Sequence, residues 1–382
     1  MSTKLTRREL LREAACKGAG LALASGGAAL CGLSGVTPVN AASKLKFYPA
    51  RYYDKLSGKR VKCALCPKEC VVGDRERGFC GVRENREGTY YTLVWGELAA
   101  RNVDPIEKKP FFHFLPGTHA YSVATAGCNM DCKDCQNWDI SQSRPEQIQN
   151  VYHEPPSDSV ATAKRTGARS IAYTYSEPVV FYEYMLETAA EGRKRGVKSV
   201  MVSNGFIRKE PMTKLCQYLD AVKIDLKGFD EPFYKKYCVA TLQPVLDTIK
   251  LVHSLGKWME IVYLVVPTLN DKPGPIREMC RWLKKSVGAD VPLHFSRFVP
   301  EYQLKNLPAT PYSTLERCHK IAVEEGLRYV YIGNVPNNPA ENTKCPHCQK
   351  VVVGRVGYRI TRYGLKNGKC GDCGRTIAGV WG

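Results

Sequence analysis

Long apolar runs are scarce in this chain of 382 residues: beyond the first forty, no stretch reaches the roughly 20 residues that span a bilayer. Acidic residues are also few, 37 against 56 lysines and arginines, which leaves a net charge of +19. Such an excess speaks to steering and solubility, not to fold or activity. An even, dense cysteine framework is missing as well. The 17 cysteines are odd in number and spread over a chain far longer than the small secreted domains that disulfides staple. Metal or redox chemistry is the better reading. Disorder is excluded for most of the chain, because 21 Tyr, 11 Phe and 5 Trp supply core material.

Residues 1–42 read as a leader. Arg7-Arg8 forms a twin-arginine pair ahead of a weakly apolar stretch from Gly18 to Val36, and Val39-Asn40-Ala41 offers small residues to a signal peptidase. An amphipathic N-terminal helix is the plainer alternative. The leader predicts export or membrane association, whereas the chemistry below belongs with cytoplasmic supplies. Cys16 and Cys31 fall in this segment and receive no role.

The remaining cysteines sort into three clusters and four singles. Cys63, Cys66, Cys70 and Cys80 lie within a Cys-rich module at 43–110; Cys128, Cys132 and Cys135 form a triplet; Cys345, Cys348, Cys370 and Cys373 occupy a C-terminal module at 341–382. Cys216, Cys238, Cys280 and Cys318 stand alone in or beside helical patterns, where free cysteine behaves as a small buried hydrophobe.

Between the second and third clusters, over 111–340, apolar runs alternate with helical periods. Strands are predicted at 121–125, 170–175, 199–203, 221–225, 260–266, 293–298 and 329–332, with helices between them. Gly196, Gly256, Gly288 and Gly326 sit just past four helix ends. Near-continuous apolar strands alternating with helices predict a parallel sheet covered by helices, here a partial (β/α)6 TIM-like barrel. Ser176-Glu177-Pro178, Asn204-Gly205 and Asp225 with Lys227 follow successive strands, so their polar groups should gather at one mouth.

A triplet at x3–x2 spacing on the loop after the first strand is specific. Clusters built only for electron transfer normally take four thiolates, so three leave one iron of a 4Fe-4S cluster open to another ligand. A zinc site completed by His119 or His113 is the alternative. Cys345-Pro-His-Cys348 and Cys370-Gly-Asp-Cys373 are two CxxC knuckles with zinc-ribbon spacing, and rubredoxin-type iron would fit the same thiolates. The metal at Cys63, Cys66, Cys70 and Cys80 stays open between zinc and an iron–sulfur cluster.

Gly127-Cys128-Asn129-Met130-Asp131-Cys132-Lys133-Asp134-Cys135-Gln136-Asn137-Trp138 resembles the cluster loop of radical SAM enzymes, in the branch related to pyruvate formate-lyase activating enzymes. Cys135–Trp138, Tyr173–Pro178 and Tyr331–Pro336 make the chain most similar to the AmmeMemoRadiSam system radical SAM enzymes. That resemblance implies a 4Fe-4S cluster on Cys128, Cys132 and Cys135, with S-adenosylmethionine (SAM) contacted by Ser176, Glu177, Asn204 and Asp225. It also implies a low-potential donor of flavodoxin or ferredoxin type, and AMMECR-domain and Memo-family partners. The reaction implied is reductive cleavage of SAM to a deoxyadenosyl radical for hydrogen abstraction. Two positions depart from the pattern: Asp134 replaces a common aromatic, and Tyr175-Ser176 stands where the family has Gly-Gly. Activation of a glycyl radical enzyme is an alternative within this chemistry. A basic zinc-ribbon protein that binds nucleic acid is the alternative of another class, disfavoured because Lys and Arg are dispersed with no aromatic-interleaved stripe.

Overall fold

Seven runs rich in Val, Ile and Tyr become parallel strands because both of their faces can be buried. In the computed structural model, which describes residues 39–40 and 45–382, one eight-stranded sheet forms the centre. Its strands are β1 (Ala100–Pro105), β2 (His119–Ala124), β3 (Ser170–Tyr173), β4 (Lys198–Ser203), β5 (Ala221–Asp225), β6 (Trp258–Val265), β7 (Leu293–Arg297) and β8 (Val330–Gly333). They lie side by side in chain order, β2 to β8 all parallel. Six crossover helices connect them: α1 (Pro156–Arg165), α2 (Tyr182–Lys194), α3 (Lys209–Cys216), α4 (Gln243–Ser254), α5 (Pro273–Val287) and α6 (Tyr312–Glu324). The (β/α)6 reading of the sequence holds. The twin-arginine pair, Cys16 and Cys31 lie outside the described residues.

The sheet starts earlier than the predicted boundary at residue 111. β1 runs antiparallel to β2 over six residue pairs, from Pro105 against His119 to Ala100 against Ala124. Its sequence, Ala-Arg-Asn-Val-Asp-Pro, carries no apolar run, as suits an edge strand with one face open to water. Among the described residues, no helix is long and apolar enough to cross a membrane.

Residues alternate across the sheet. Ile171, Tyr173, Met201, Val222, Ile224, Ile261, Tyr263 and Phe295 pack outward against Val160, Met185, Leu215, Ile249, Met279 and Leu315 of the helices. Each such buried side chain contributes about 1.5–3 kcal/mol. The small inward residues Ala120, Ala172, Val200 and Ala221 meet Ile106, Phe111, Phe114 and Leu115, which close the bottom of the barrel. Cys216, Cys280 and Cys318 are buried, as expected of isolated cysteines, whereas buried Cys238 is not isolated: its thiol meets that of Cys132.

Polar bonds carry both flanking modules onto the barrel. Arg355 of the C-terminal hairpin, itself buried, donates to the Phe112 carbonyl (2.7 Å) and to Thr343 Oγ1 (2.8 Å). On the N-terminal side, Arg83 (1% exposed) and Glu183 of α2 (0%) form a two-point ion pair at 2.7 and 3.1 Å. The backbone N–H of Arg51 adds a third bond to Glu183, at 2.7 Å. Breaking a buried pair from one side leaves the partner uncompensated. Arg83→Met or Glu183→Gln should therefore cost about 3–5 kcal/mol, read as a lower guanidinium midpoint at unchanged slope. An unchanged midpoint would mean that the module docks by other contacts.

Candidate functional site

The carboxyl ends of β2 to β5 bring the sequence-selected residues to one mouth. Cys128, Cys132 and Cys135 sit on the loop after β2, Ser176 and Glu177 after β3, Asn204 after β4, and Asp225 closes β5. The cysteine loop is held by backbone bonds from Asp131 N to the Cys238 carbonyl (3.1 Å), from Lys133 N to the Tyr237 carbonyl (2.9 Å) and from Gly127 N to the Ile140 carbonyl (2.9 Å). The π-helical turn Tyr234–Cys238 thus braces the loop, a role the sequence did not disclose for Cys238.

Glu177 ties the mouth together. Its Oε1 accepts from Ser203 Oγ (2.7 Å) and Val179 N (3.1 Å), and its Oε2 accepts from Asn204 N (2.8 Å). Asn204 Nδ2 donates to Asn129 Oδ1 at 2.8 Å, and Asn129 Nδ2 donates to the Phe206 carbonyl at 2.7 Å. Asn204 Nδ2 also lies 3.9 Å from Cys128 Sγ. Asn129 escaped sequence reading. Its place directly after Cys128 was the available signal, but the partner that explains it lies 75 residues away. Ser176 Oγ is buried with no hydrogen-bond partner, a donor and acceptor left open at the mouth.

The surroundings of the triplet disfavour free thiolates. Burial pushes the Cys128 thiol up, and Glu177, Cys132 and Cys135 add to that shift. Burial likewise takes Cys135 to about 11, with Cys132 contributing. Cys132 is pushed up too, first by its hydrogen bond with the Cys238 thiol and then by burial, and a bound cationic centre would reverse these shifts. Lys227 supplies one positive charge. Burial works against it, yet Asp225, Cys132 and Asp134 hold its ammonium well above the ordinary value. Burial raises Glu177 to about 7 despite its three donors. Asp134, where an aromatic was expected, is buried and near Lys227.

The flanking sets differ in geometry. Cys345 and Cys373 Sγ lie 3.6 Å apart and Cys348 and Cys370 Sγ 3.7 Å apart, and all four lie within 4.8 Å of one another. Tetrahedral coordination with bonds of about 2.3 Å calls for sulfurs about 3.8 Å apart. The four can hold a metal ion. Cys63, Cys66, Cys70 and Cys80 line one cavity with Arg83, Tyr90 and Asn129. Cys80 and Cys128 also share a groove of about 630 Å³ with Arg75, Arg77 and Arg144. His113, the alternative fourth ligand of the central triplet, is instead buried at the base of the barrel, 2.6 Å from the Ala378 carbonyl.

The family model described as the radical SAM superfamily matches residues 122–283. The uncharacterized protein MJ0808 of Methanocaldococcus jannaschii is 44% identical over 86% of this chain and 98% of its own length. A second uncharacterized protein of that organism, MJ0674, is 25% identical over 70% of this chain and 76% of its own. Among solved structures, a domain of a pyruvate-formate lyase-activating enzyme from Bacteroides vulgatus superposes with a TM-score of 0.39 at 16% identity, over 43% of this chain and 99% of that one. A radical SAM methyltransferase from Sphaerobacter thermophilus gives 0.44 at 12% identity, over 76% and 78%.

Gly127 joins the two cysteine-bearing loops. Its φ is +92°, and a Cβ there would lie 2.6 Å from Val82 Cγ1 and 2.7 Å from the Cys80 carbonyl. Gly127→Ala should therefore cost roughly 1–3 kcal/mol in strain and lower the melting temperature. An unshifted melting temperature would mean the two loops can separate freely. At the C-terminal tetrad, Cys348→Ala or Cys370→Ala should remove one equivalent of bound metal by elemental analysis; unchanged metal would show that the tetrad holds none.

Proposed function

This chain belongs to the radical SAM superfamily, and from that premise we propose that it cleaves SAM reductively at a 4Fe-4S cluster held by Cys128, Cys132 and Cys135. Its superfamily uses a 4Fe-4S cluster and SAM and needs a reductant. The observation that supports the ligand assignment is that the loop bearing Cys128, Cys132 and Cys135 opens at the carboxyl end of β2, beside a buried, unpartnered Ser176 Oγ at the end of β3 and with Asn204 Nδ2 3.9 Å from Cys128 Sγ. When bound, cluster and SAM supply one-electron cleavage to methionine and a 5′-deoxyadenosyl radical, which takes a hydrogen atom from substrate.

The protein's own groups bind and orient. Ser176 Oγ offers a hydrogen bond to the methionine end of SAM. Glu177 keeps lone-pair capacity on Oε2 beyond the bond from Asn204, and in its ionised form it would receive an ammonium group. Asn204 braces the Cys128 loop through Asn129 while standing beside the same position. Lys227, paired with Asp225 at 3.5 Å, offsets the charge that three thiolates bring into a buried mouth. The AMMECR-domain and Memo-family partners and a flavodoxin- or ferredoxin-type donor are proposed on resemblance alone. Zinc is proposed at Cys345, Cys348, Cys370 and Cys373, supported by the sulfur spacing. A structural metal is proposed at Cys63, Cys66, Cys70 and Cys80, supported by their common cavity.

Anaerobically reconstituted protein with dithionite should convert SAM to 5′-deoxyadenosine, and Cys128→Ala, Cys132→Ala or Cys135→Ala should each reduce this to background. Cleavage retained in these variants would overturn the assignment. The pH dependence has a definite sign. Glu177 titrates near 7, and protonation removes the acceptor for an ammonium group. SAM affinity should therefore fall as pH drops below 7, by up to about tenfold per unit. Glu177→Gln should flatten that dependence; a profile unchanged by the substitution would assign the titration to another group.

A further inference from the structure

Over the chain as a whole lysine and arginine are dispersed, but the C-terminal module concentrates them. Residues 341–382 carry eight lysines and arginines against two carboxylate side chains. Arg355 and Glu341 are buried, so the surface of the module presents seven cations and Asp372 alone. Asp372 meets Lys350 Nζ at 2.9 Å and Arg362 Nη2 at 3.7 Å. The other five cations, Arg359, Lys366 and Lys369 among them, have no ion-pair partner among the described residues.

Local geometry sets two of them side by side on an open edge. β9 (Val351–Val356) and β10 (Arg359–Tyr363) form a hairpin, and the outer edge of β10 is unpaired. Simple alternation would send Arg359 and Arg362 to opposite faces. The register shifts at Thr361, however, so that Arg362 pairs with Gly354 and Arg359 with Val356. Gly354 and Val356 are two residues apart and share a face, so both arginines do too. Ile360 and its partner Arg355 turn the other way. Arg355 bonds the Phe112 carbonyl, and a Cβ at Gly117 would lie 3.2 Å from Ile360 Cγ1. Tyr358 (56% exposed) and Tyr363 (47%) stand at the two ends of this edge.

The adjoining turn adds to the excess. Between β11 (Leu365–Lys366) and β12 (Lys369–Cys370), Lys366 lies directly opposite Lys369. Like charges so placed are destabilising by themselves. Charges on an edge strand guard against edge-to-edge pairing, and that need accounts for Arg359 and Arg362. It accounts neither for opposed lysines on a second hairpin nor for two tyrosines left in water.

We propose that this surface binds single-stranded nucleic acid, with Arg359, Arg362, Lys366 and Lys369 on phosphates and Tyr358 and Tyr363 stacked on bases. Unpaired, exposed cations displace counterions from a phosphate backbone, and neighbouring aromatic rings receive bases of any sequence. An acidic protein would satisfy the charges but leave the tyrosines without a role. The module packs beneath the barrel floor, so this site is separate from the cysteine mouth and independent of its chemistry.

The test uses the full chain with its metals in place and follows the fluorescence anisotropy of short labelled RNA and DNA single strands of mixed sequence. Saturable binding at physiological salt is expected. The logarithm of affinity should fall against that of salt with a slope of about −3, as for about four neutralised phosphates. Arg359→Ala combined with Arg362→Ala should weaken binding and flatten the slope by about 1.4. Tyr358→Ala should weaken binding about tenfold at unchanged slope. Arg193→Ala combined with Arg195→Ala, at the far end of α2, should change neither. Lys366→Gln with Lys369→Gln replaces the Arg359 and Arg362 variant if that one fails to fold by circular dichroism, and should flatten the slope equally. No saturable binding, or an equal loss in the Arg193 and Arg195 variant, would overturn the proposal. So would displacement by polyglutamate as complete as by unlabelled RNA, which would assign the surface to an acidic protein.

Discussion

Everything at the barrel mouth hangs on how Glu177 is bonded. A carboxylate buried at the end of β3 would be costly alone. Here it collects the Ser203 hydroxyl and the backbone N–H groups of Val179 and Asn204, so it fixes the end of β4 against the turn that opens α2. Asn204 then passes the constraint to Asn129, and through it to the cysteine loop. Three chain segments far apart in sequence share one hydrogen-bonded chain. The cysteines can therefore be presented in a fixed arrangement while their own loop carries no regular structure.

A second constraint is charge. The floor of the barrel is closed by Ile106, Phe111, Phe114 and Leu115, and above it lie two buried ion pairs, Lys109 with Asp104 and Lys223 with Asp225. The C-terminal module reinforces the floor from outside. Buried Arg355 bonds to the Phe112 carbonyl, and the backbone of Val380 pairs with His113 and Leu115. Metal at the C-terminal tetrad would thus support the bottom of the barrel as well as its own hairpin.

The seven parallel strands were legible because strands buried on both faces are written as unbroken apolar runs. Their ends were not: β6 begins at Trp258 and β4 at Lys198, residues whose pairing depends on the neighbouring strand, not on local pattern. β1 was invisible because a polar edge strand has no signature until β2 is in place. At the site, cysteine spacing marked the loop and strand ends marked Glu177 and Asp225. Asn129, the turn at Tyr237–Cys238 and the pairing of Lys109 with Asp104 required contacts across many residues, which no local pattern encodes.

The most direct test of the account is electron paramagnetic resonance of the anaerobically reconstituted, dithionite-reduced protein with and without SAM. An iron left open by three thiolates should change its signal when SAM binds, and Cys132→Ala should lose both signal and change. A cluster signal indifferent to SAM, or one that survives removal of Cys132 with its SAM response intact, would contradict the assignment of Cys128, Cys132 and Cys135.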